Sequence, residues 1–274
     1  MPKPVATGSS AFADDDSKMM IDSFAAGFAD ISLVQLALIA GMALIASVVG
    51  GVSGYGTGAL MPLVLVPIVG PEPVVPMLSI SALLNNSSRA AVFHNLIDLR
   101  RVLVVLPLAL PTTMLGAWGY TKLTGRGVML LIGSMMILSV PLRRVLKHRG
   151  FGLSDRGLAA SAAGWGLVAG GTTGAGVMLL SLLMAAGLQG AAVIATDAVI
   201  SIGIGFAKVS VFGLAGAIGA KEIAIAVLMG AMAFPGAFLA RALVEHLSVR
   251  MHTALLDAVV FAGGAVMLYG AAVR

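Results

Sequence analysis

The sequence comprises 274 residues, of which 59% are hydrophobic and only 11% are charged. Soluble globular domains carry about 25% charged residues, so this composition excludes an ordinary water-soluble globule. Aromatic residues make up only 5% of the chain, which argues against an outer-membrane barrel with aromatic girdles. The apolar residues instead fall into blocks close to the length of about 20 residues that spans a bilayer as a helix. The composition therefore predicts an all-α, polytopic helical membrane protein.

The charged and metal-binding residue types exclude several further functions. The chain has no cysteine, which excludes disulfides, thiolate metal sites and cysteine nucleophiles. Its formal net charge of +5 arises mainly in short loops between apolar blocks, where basic residues orient membrane helices. Because no basic patch with interleaved aromatics is present, we expect no nucleic-acid partner. The four histidines form no ligand pattern and no nucleotide-binding loop is present, so we expect neither a metal nor a cofactor.

The N-terminal segment 1–30 is polar and acidic, unlike the rest of the chain. Aspartates at 14–16 followed by Ser17 are typical of a helix start, which is compatible with a short interfacial helix. Apolar blocks then follow at 31–49, 59–69, 74–93, 102–120, 128–146, 157–169, 177–187, 191–212, 223–243 and 253–272.

One glycine-rich stretch separates the blocks 31–49 and 59–69, and another separates the blocks 157–169 and 177–187. Counting each interrupted pair as one spanning element with a broken or re-entrant partner predicts about eight transmembrane helices, whereas separate crossings would make ten. The loop 143–156 holds the densest cluster of basic residues and is therefore predicted to be cytoplasmic. If successive loops of eight helices alternate between the two sides of the membrane, eleven Lys and Arg residues lie on the cytoplasmic side and four on the other. Both termini are then cytoplasmic.

The two glycine-rich segments, 50–56 and 170–176, form an internal repeat at an offset of 120 residues. Further landmarks match at an offset of 120 or 119: Gly116-Ala117-Trp118 with Gly236-Ala237-Phe238, Arg101 with Lys221, Arg89 with Lys208, and Phe93 with Phe212. We therefore predict a first transmembrane repeat at 31–149 and a second at 150–274, after the segment 1–30. Four crossings per half would give the halves one orientation, whereas an odd count would invert them. Paired repeats are a common plan for secondary transporters, which bind substrate between them.

A glycine-rich break in a membrane helix frees backbone groups that lipid cannot satisfy, so such a segment must line protein or a polar cavity. The half-helix after the break points its N–H groups and its positive dipole end into that cavity, which favours an anion. The candidate substrate-binding residues of the two segments are Ser53, Gly54, Tyr55, Gly56, Thr57, Thr172, Thr173, Gly174 and Gly176. The alternative is helix packing without a ligand, because glycines four residues apart also form small-xxx-small faces.

A second polar cluster comprises Asn85, Asn86 and Arg89 within an apolar block, where polar side chains are costly unless they face a bundle interior. Arg89 could bind an anionic substrate, and Lys208 is its counterpart in the second half. The alternative for both cations is snorkelling to the membrane surface. Asp197 lies near a block end, where it suits either proton coupling or a helix start.

An intramembrane protease is the enzyme alternative, because Gly51-Val52-Ser53-Gly54 fits the pattern around the nucleophile of rhomboid proteases. A serine nucleophile needs a base within hydrogen-bond reach, and no histidine lies inside a later apolar block. The matching position holds Thr173, which suits a symmetric binding site better. We therefore expect no enzyme activity.

The duplicated glycine segments, Pro62 after the first, Ala195-Thr196 after the second and the loop from His94 to Arg101 resemble the sulfite exporter TauE/SafE family, also called the toluene-sulfonate uptake permease family. The resemblance covers approximately 31–272. It implies an inner-membrane carrier for sulfite, sulfonates or related sulfur-containing anions, with membrane lipid around it. The second segment departs from the family's usual Gly-Gly-Gly run.

Together these features predict a secondary transporter that moves a small sulfur-containing anion by alternating access, with the proton as a candidate coupling ion. A homo-oligomer is compatible with this interpretation. The alternative from another class is a passive anion channel or a structural membrane subunit. Concentrative uptake that depends on a proton gradient would distinguish a carrier from a channel.

Overall fold

The computed structural model describes residues 22, 25–53, 57–148, 152–244 and 249–273, which form ten α-helices of 10 to 25 residues and no β-strand. The polar N-terminal segment lies largely outside these residues. A short 3-10 helix at His94–Leu96 joins the third and fourth of the helices, which are α1 Leu33–Ser53, α2 Thr57–Val69, α3 Val74–Val92, α4 Leu99–Tyr120, α5 Gly125–His148, α6 Asp155–Gly171, α7 Gly176–Ala185, α8 Ala191–Leu214, α9 Ala220–Val244 and α10 Val249–Val273.

The described residues form ten helices because each glycine-rich stretch separates two helices, and the number that cross the membrane stays a prediction. The helices after the breaks are short: α2 has 13 residues and α7 has 10. Both are well below the length of about 20 residues that crosses the hydrocarbon core of a bilayer. Each therefore pairs with the longer helix before it instead of spanning alone.

The outer surface of the bundle is apolar. Among the described residues, α4 and α8 are long and apolar enough to cross a membrane by length and composition, each with a mean hydropathy of 1.7. Large apolar side chains such as Leu33, Leu115 and Leu214 project from the bundle. Water-soluble monomers rarely expose so much contiguous apolar surface, so this exterior suits lipid.

One end of the bundle, which we call face A, brings together the starts of α4 and α6 and the end of α7. Arg101 donates hydrogen bonds to Asp155 and, at 2.6 Å, to the Ala186 carbonyl. The Leu153 N–H donates to the Ala185 carbonyl at 2.7 Å. The helices α6 and α7 therefore form a hairpin whose two ends both lie at face A.

The Asp155 carboxylate at face A precedes the apolar block 157–169. A hydrogen bond from Arg100, with nitrogen and oxygen 2.6 Å apart, holds the pKa of this carboxyl below its ordinary value. The carboxylate consequently stays charged at neutral pH and binds both Arg100 and Arg101 at the bundle end.

The opposite end, face B, holds the end of α4. The Tyr120 hydroxyl donates to the carbonyls of Pro71 and Glu72, at 3.2 and 3.0 Å. The segment before α1 lies at this end too, because a Cβ added at Gly27 would come within 2.8 Å of the Ala220 carbonyl oxygen, at the start of α9. The hairpin of α1 and α2 therefore opens to face B, opposite to the hairpin of α6 and α7.

Two pairs of packed helices that are distant in sequence run antiparallel. In the α3–α8 pair, Arg89 lies beside Asp197, whereas Leu83, earlier on α3, packs against Gly205, later on α8. The α5–α10 pair shows the same reversal: Gly133 contacts Leu268, and Ile137 contacts Gly264. In each of these two pairs, a helix from the first part of the chain therefore packs antiparallel to a helix from the second part.

Candidate functional site

The second glycine-rich break lies against the start of α2 inside the bundle. A Cβ added at Gly58 would lie 2.6 Å from the Gly174 backbone nitrogen, so the two backbones are in direct contact. Gly174 has a φ of +80°, a left-handed conformation that suits glycine. The approach of the two segments and the turn at the second break both depend on missing side chains.

Two long side chains donate hydrogen bonds to backbone carbonyls on either side of the second break. The Lys208 ammonium, which is 8% exposed, donates to the carbonyls of Ala169 and Thr172 at 2.9 and 3.1 Å. The Trp165 indole N–H donates to the Ala175 carbonyl at 2.9 Å. A cation at a helix C-terminus also opposes the negative end of the helix dipole. Lys208 thus holds the break in shape, a role that the sequence did not predict for it.

We expect Lys208→Met to destabilise the folded protein by about 2 kcal/mol, because two backbone carbonyls lose a charged hydrogen-bond donor. Thermal unfolding of the purified protein measures this loss. Lys221→Met is a matched control, since Lys221 lies in the first turn of α9 and is half-buried at face B. Equal unfolding temperatures of the two variants would contradict the capping role of Lys208.

The threonines of the second break differ in what they bind. The Thr172 hydroxyl donates to the Val168 carbonyl at 2.7 Å, within its own helix turn. The Thr173 hydroxyl is buried and has no hydrogen-bond partner among the described residues. Beside it, a Cβ added at Gly176 would meet no atom within 4 Å, so space is open at the first residue of α7. Thr173 and the start of α7 therefore have unused capacity for a ligand.

Arg89 forms the centre of the second polar cluster. Its Nη1 donates to the Asn86 side-chain oxygen at 3.2 Å and lies 3.6 Å from Asp197 Oδ2. Asp197 is 3% exposed, and its other carboxylate oxygen has no partner among the described residues. Arg89 thus binds a carboxylate of the opposite half instead of reaching only to the membrane surface.

The structure separates the two predicted cations along the bundle. Asp197, which contacts Arg89, and Lys208 are eleven residues apart on α8, which corresponds to roughly 16 Å of helix. A single small anion is not expected to contact both cations at once. The two cations therefore mark two positions, one nearer face A and one at the second break.

The remaining candidates are only partly placed. Thr57 begins α2 and is half-buried, and the carbonyl of half-buried Asn85 accepts a hydrogen bond from Ser88. Ser53 ends α1, but its side chain lies outside the described residues. Gly54, Tyr55 and Gly56 also lie outside the described residues, and their predicted role stays a prediction.

Helix packing explains some of the glycines for which the sequence was compatible with either helix packing or ligand binding. A Cβ added at Gly166 would press on the Ala109 carbonyl, and one at Gly170 would press on the Thr113 carbonyl. The Thr113 hydroxyl donates to the Gly166 carbonyl at 3.0 Å. These two glycines seat α6 against α4, whereas Gly174 and Gly176 form the break.

An apolar groove of about 660 Å³ lies elsewhere, between the last turns of α4 and α8. Its walls include Pro111, Leu115, Trp118 and Leu214, and the Lys122 ammonium lies 5.4 Å from the Trp118 ring centre. The few polar atoms in this groove suit a lipid-facing surface, not an anion site.

A family model described as sulfite exporter TauE/SafE matches residues 39–267. The chain belongs to the TauE/SafE family. A search of curated proteins and a search of solved structures gave no match. The match confirms the family predicted from the glycine segments. It spans both glycine-rich breaks and the polar cluster of Asn85, Asn86 and Arg89.

Membership of the TauE/SafE family makes the chain a membrane transport protein and not an enzyme, which agrees with the predicted class. Within this family assignment, sequence reasoning overlooked Trp165, whose indole N–H supports the second break. A tryptophan surrounded by glycine and alanine on α6 was the available signal. Buried indoles usually find a hydrogen-bond acceptor, and a nearby helix break offers free carbonyls.

Proposed function

We propose that this TauE/SafE protein is a secondary transporter that moves a small sulfur-containing anion, such as sulfite or a sulfonate, across the inner membrane by alternating access. One observation carries the proposal. Among the described residues, the buried side-chain oxygens without a hydrogen-bond partner are Thr173 Oγ1 and Asp197 Oδ1. Both belong to residues predicted from sequence to act in transport. Unpartnered buried polar atoms are rare and call for an explanation, which a transported ion supplies.

The arrangement of helices supports two inverted repeats. Each half contributes one hairpin interrupted by glycine and three further helices, and the two hairpins open to opposite faces. An odd number of full crossings inverts the second half relative to the first, and inverted repeats are a frequent basis of alternating access. In this topology six helices cross the membrane and two hairpins re-enter it, instead of eight crossings.

Basic residues orient this topology. The described residues at face A include Arg100, Arg101, Arg143, Arg144, Lys147, Arg156, Arg241 and Arg250, whereas those at face B are Lys122, Arg126 and Lys221. The positive-inside rule therefore favours face A as the cytoplasmic face. The start of α1 and the end of α10 then lie on the opposite side, which revises the expectation that both termini are cytoplasmic.

The second break offers the chemistry of an anion site. The start of α7 presents helix N–H groups and a positive dipole end, and the unpartnered Thr173 hydroxyl can donate beside it. Lys208 adds a positive charge at the same break. A sulfur oxyanion has several acceptor oxygens around one centre, which suits donors that converge from backbone and hydroxyl groups.

The two cations suit access from opposite sides. Arg89 lies three residues before the end of α3, towards face A, and Lys208 lies six residues before the end of α8, towards face B. They match at an offset of 119 residues, so the inversion of the halves places equivalent cations near opposite faces. An anion entering from face A would meet Arg89 before it reaches the second break, where Lys208 lies.

We expect Thr173→Val to weaken anion binding by about tenfold, since it removes one hydrogen-bond donor to a charged ligand. Its folding stability should change little, because the hydroxyl has no partner among the described residues. Titration of the purified variant with sulfite measures the affinity. Thr172→Val is the matched control, because the Thr172 hydroxyl already binds the Val168 carbonyl. Equal sulfite affinities of the two variants would remove Thr173 from the site.

Flux into proteoliposomes tests the transport function. The purified protein is expected to accumulate sulfite, thiosulfate or sulfoacetate inside vesicles above the external concentration when an ion gradient is imposed. Accumulation against a gradient requires a carrier. Flux that only equilibrates the anion, whatever gradient is imposed, would favour the channel alternative, and no flux of any sulfur anion would favour a structural role.

A further inference from the structure

We infer that Asp197 is the resident counter-ion of Arg89, and that a proton on Asp197 releases Arg89 to bind the transported anion, so that proton and anion cross together. The inference rests on the proposed carrier function and adds its coupling ion and its coupling mechanism. The pair joins the halves, because Arg89 lies on α3 of the first and Asp197 on α8 of the second.

The geometry makes Asp197 and an incoming anion competitors for one guanidinium. The Arg89 side chain is 24% exposed, whereas the Asp197 side chain is 5% exposed behind it. Nη1 of Arg89 lies 3.6 Å from Asp197 Oδ2, longer than a normal charged hydrogen bond, and is oriented by Asn86. An anion that arrives at Arg89 therefore meets a carboxylate that repels it unless that carboxylate is protonated.

The unpartnered oxygen of Asp197 provides a place for the proton. Oδ1 is buried and has no hydrogen-bond partner among the described residues. When Oδ1 takes up a proton, the carboxyl becomes neutral, and its charge no longer competes for Arg89. On the other side of the membrane the anion leaves Arg89 and the proton leaves Oδ1, after which the carboxylate pairs with Arg89 again. Each cycle thus moves one proton with one anion.

Other charged groups near this end of α8 have roles of their own. Arg101 binds Asp155 and the Ala186 carbonyl, and Asp98 caps the start of α4 by accepting from the Arg101 N–H. His94, on the 3-10 helix, is exposed and contacts the Ala91 carbonyl. In the helices that pack against α8, the remaining charged groups are Arg100 on α4 and Arg156 on α6, and Lys208 lies on α8 itself. The helix α7 carries no ionisable side chain. Among the described residues, Asp197 is therefore the carboxylate that forms an ion pair with Arg89.

Sulfoacetate flux into proteoliposomes tests the coupling, because this dianion keeps its charge between about pH 6 and pH 8. Wild-type flux is expected to rise as the external pH falls, by at most about tenfold per pH unit for one bound proton. Asp197→Asn should still bind sulfoacetate, and its flux should change less than about twofold over the same range. Asp257→Asn, in another buried carboxylate on α10, should keep the wild-type pH dependence.

Proton movement in the wild-type protein gives a second measurement that does not depend on any variant. A pH-sensitive dye inside the vesicles should report acidification when sulfoacetate enters. Sulfoacetate flux without acidification, or an Asp197→Asn variant with wild-type pH dependence, would overturn the coupling while leaving the carrier intact. No sulfoacetate binding and no flux in the wild-type protein would instead count against the proposed function itself.

Discussion

Gly170→Ala is expected to prevent stable folding, with a loss of at least about 3 kcal/mol, at the upper end for overpacked cores. A Cβ at this position would point at the Thr113 carbonyl oxygen and would lie 2.8 Å from the Ala117 backbone nitrogen. These are backbone atoms of α4, so no side-chain rotation can make room. Thermal unfolding and the yield of monodisperse protein in detergent both measure the effect.

Gly164→Ala is the matched control on the same helix. Gly164 is exposed, and a Cβ there would meet no atom within 4 Å. Alanine should be neutral or should stabilise this position by up to about 1 kcal/mol, because it restricts the unfolded chain and favours helix. If the two alanine variants unfold at the same temperature, the close approach of α6 to α4 is wrong.

Arg89→Gln is expected to weaken sulfur-anion binding well over tenfold, because it removes the guanidinium that meets an anion near face A. Each tenfold loss corresponds to about 1.4 kcal/mol of binding free energy. The substitution also leaves Asp197 buried without its counter-ion, so folding stability should fall by about 3 kcal/mol. Titration of the purified variant with sulfite and its thermal unfolding measure the two effects separately.

The double variant Arg89→Gln with Asp197→Asn separates binding from folding. Neutralising both partners should restore most of the folding stability, since no unpaired charge stays buried. Sulfite affinity should stay low, because the cation is still absent. Wild-type affinity in a folded Arg89→Gln protein would mean that Arg89 only anchors α3 at the membrane surface, which was the alternative on sequence grounds.

The helices were predictable from sequence because the lengths of the apolar blocks carry that information. Block 74–93 corresponds to α3 at Val74–Val92, and block 191–212 corresponds to α8 at Ala191–Leu214. The hairpins were not predictable, because a glycine-rich break is compatible both with a continued crossing and with a reversal. The contact that distinguishes the two outcomes, Leu153 to Ala185, joins backbone atoms and leaves no residue signature.

The candidate site was predictable as a set of residues but not as a set of contacts. Asn86 and Arg89 were identified because polar groups are costly in an apolar block, and Thr173 because it adds a hydroxyl to a glycine-rich break. Lys208 was a substrate candidate because it matches Arg89 in the repeat. Its capping role was not predictable, because its acceptors, the carbonyls of Ala169 and Thr172, are backbone groups that any sequence would supply. The pairing of Arg89 with Asp197 spans 108 residues and depends on the antiparallel contact of α3 with α8.

Ligand-induced stabilisation tests the central claim, a sulfur-anion site between the two halves. The purified protein is heated with sulfite, sulfate, thiosulfate, sulfoacetate, taurine or sulfur-free carboxylates, and the unfolding temperature is recorded. A ligand at about 100 times its dissociation constant stabilises the folded state by roughly 2.7 kcal/mol, which is measurable. We predict stabilisation by sulfur oxyanions, reduced in Thr173→Val and Arg89→Gln. Stabilisation by carboxylates alone, or by no anion, would contradict a sulfur-anion carrier.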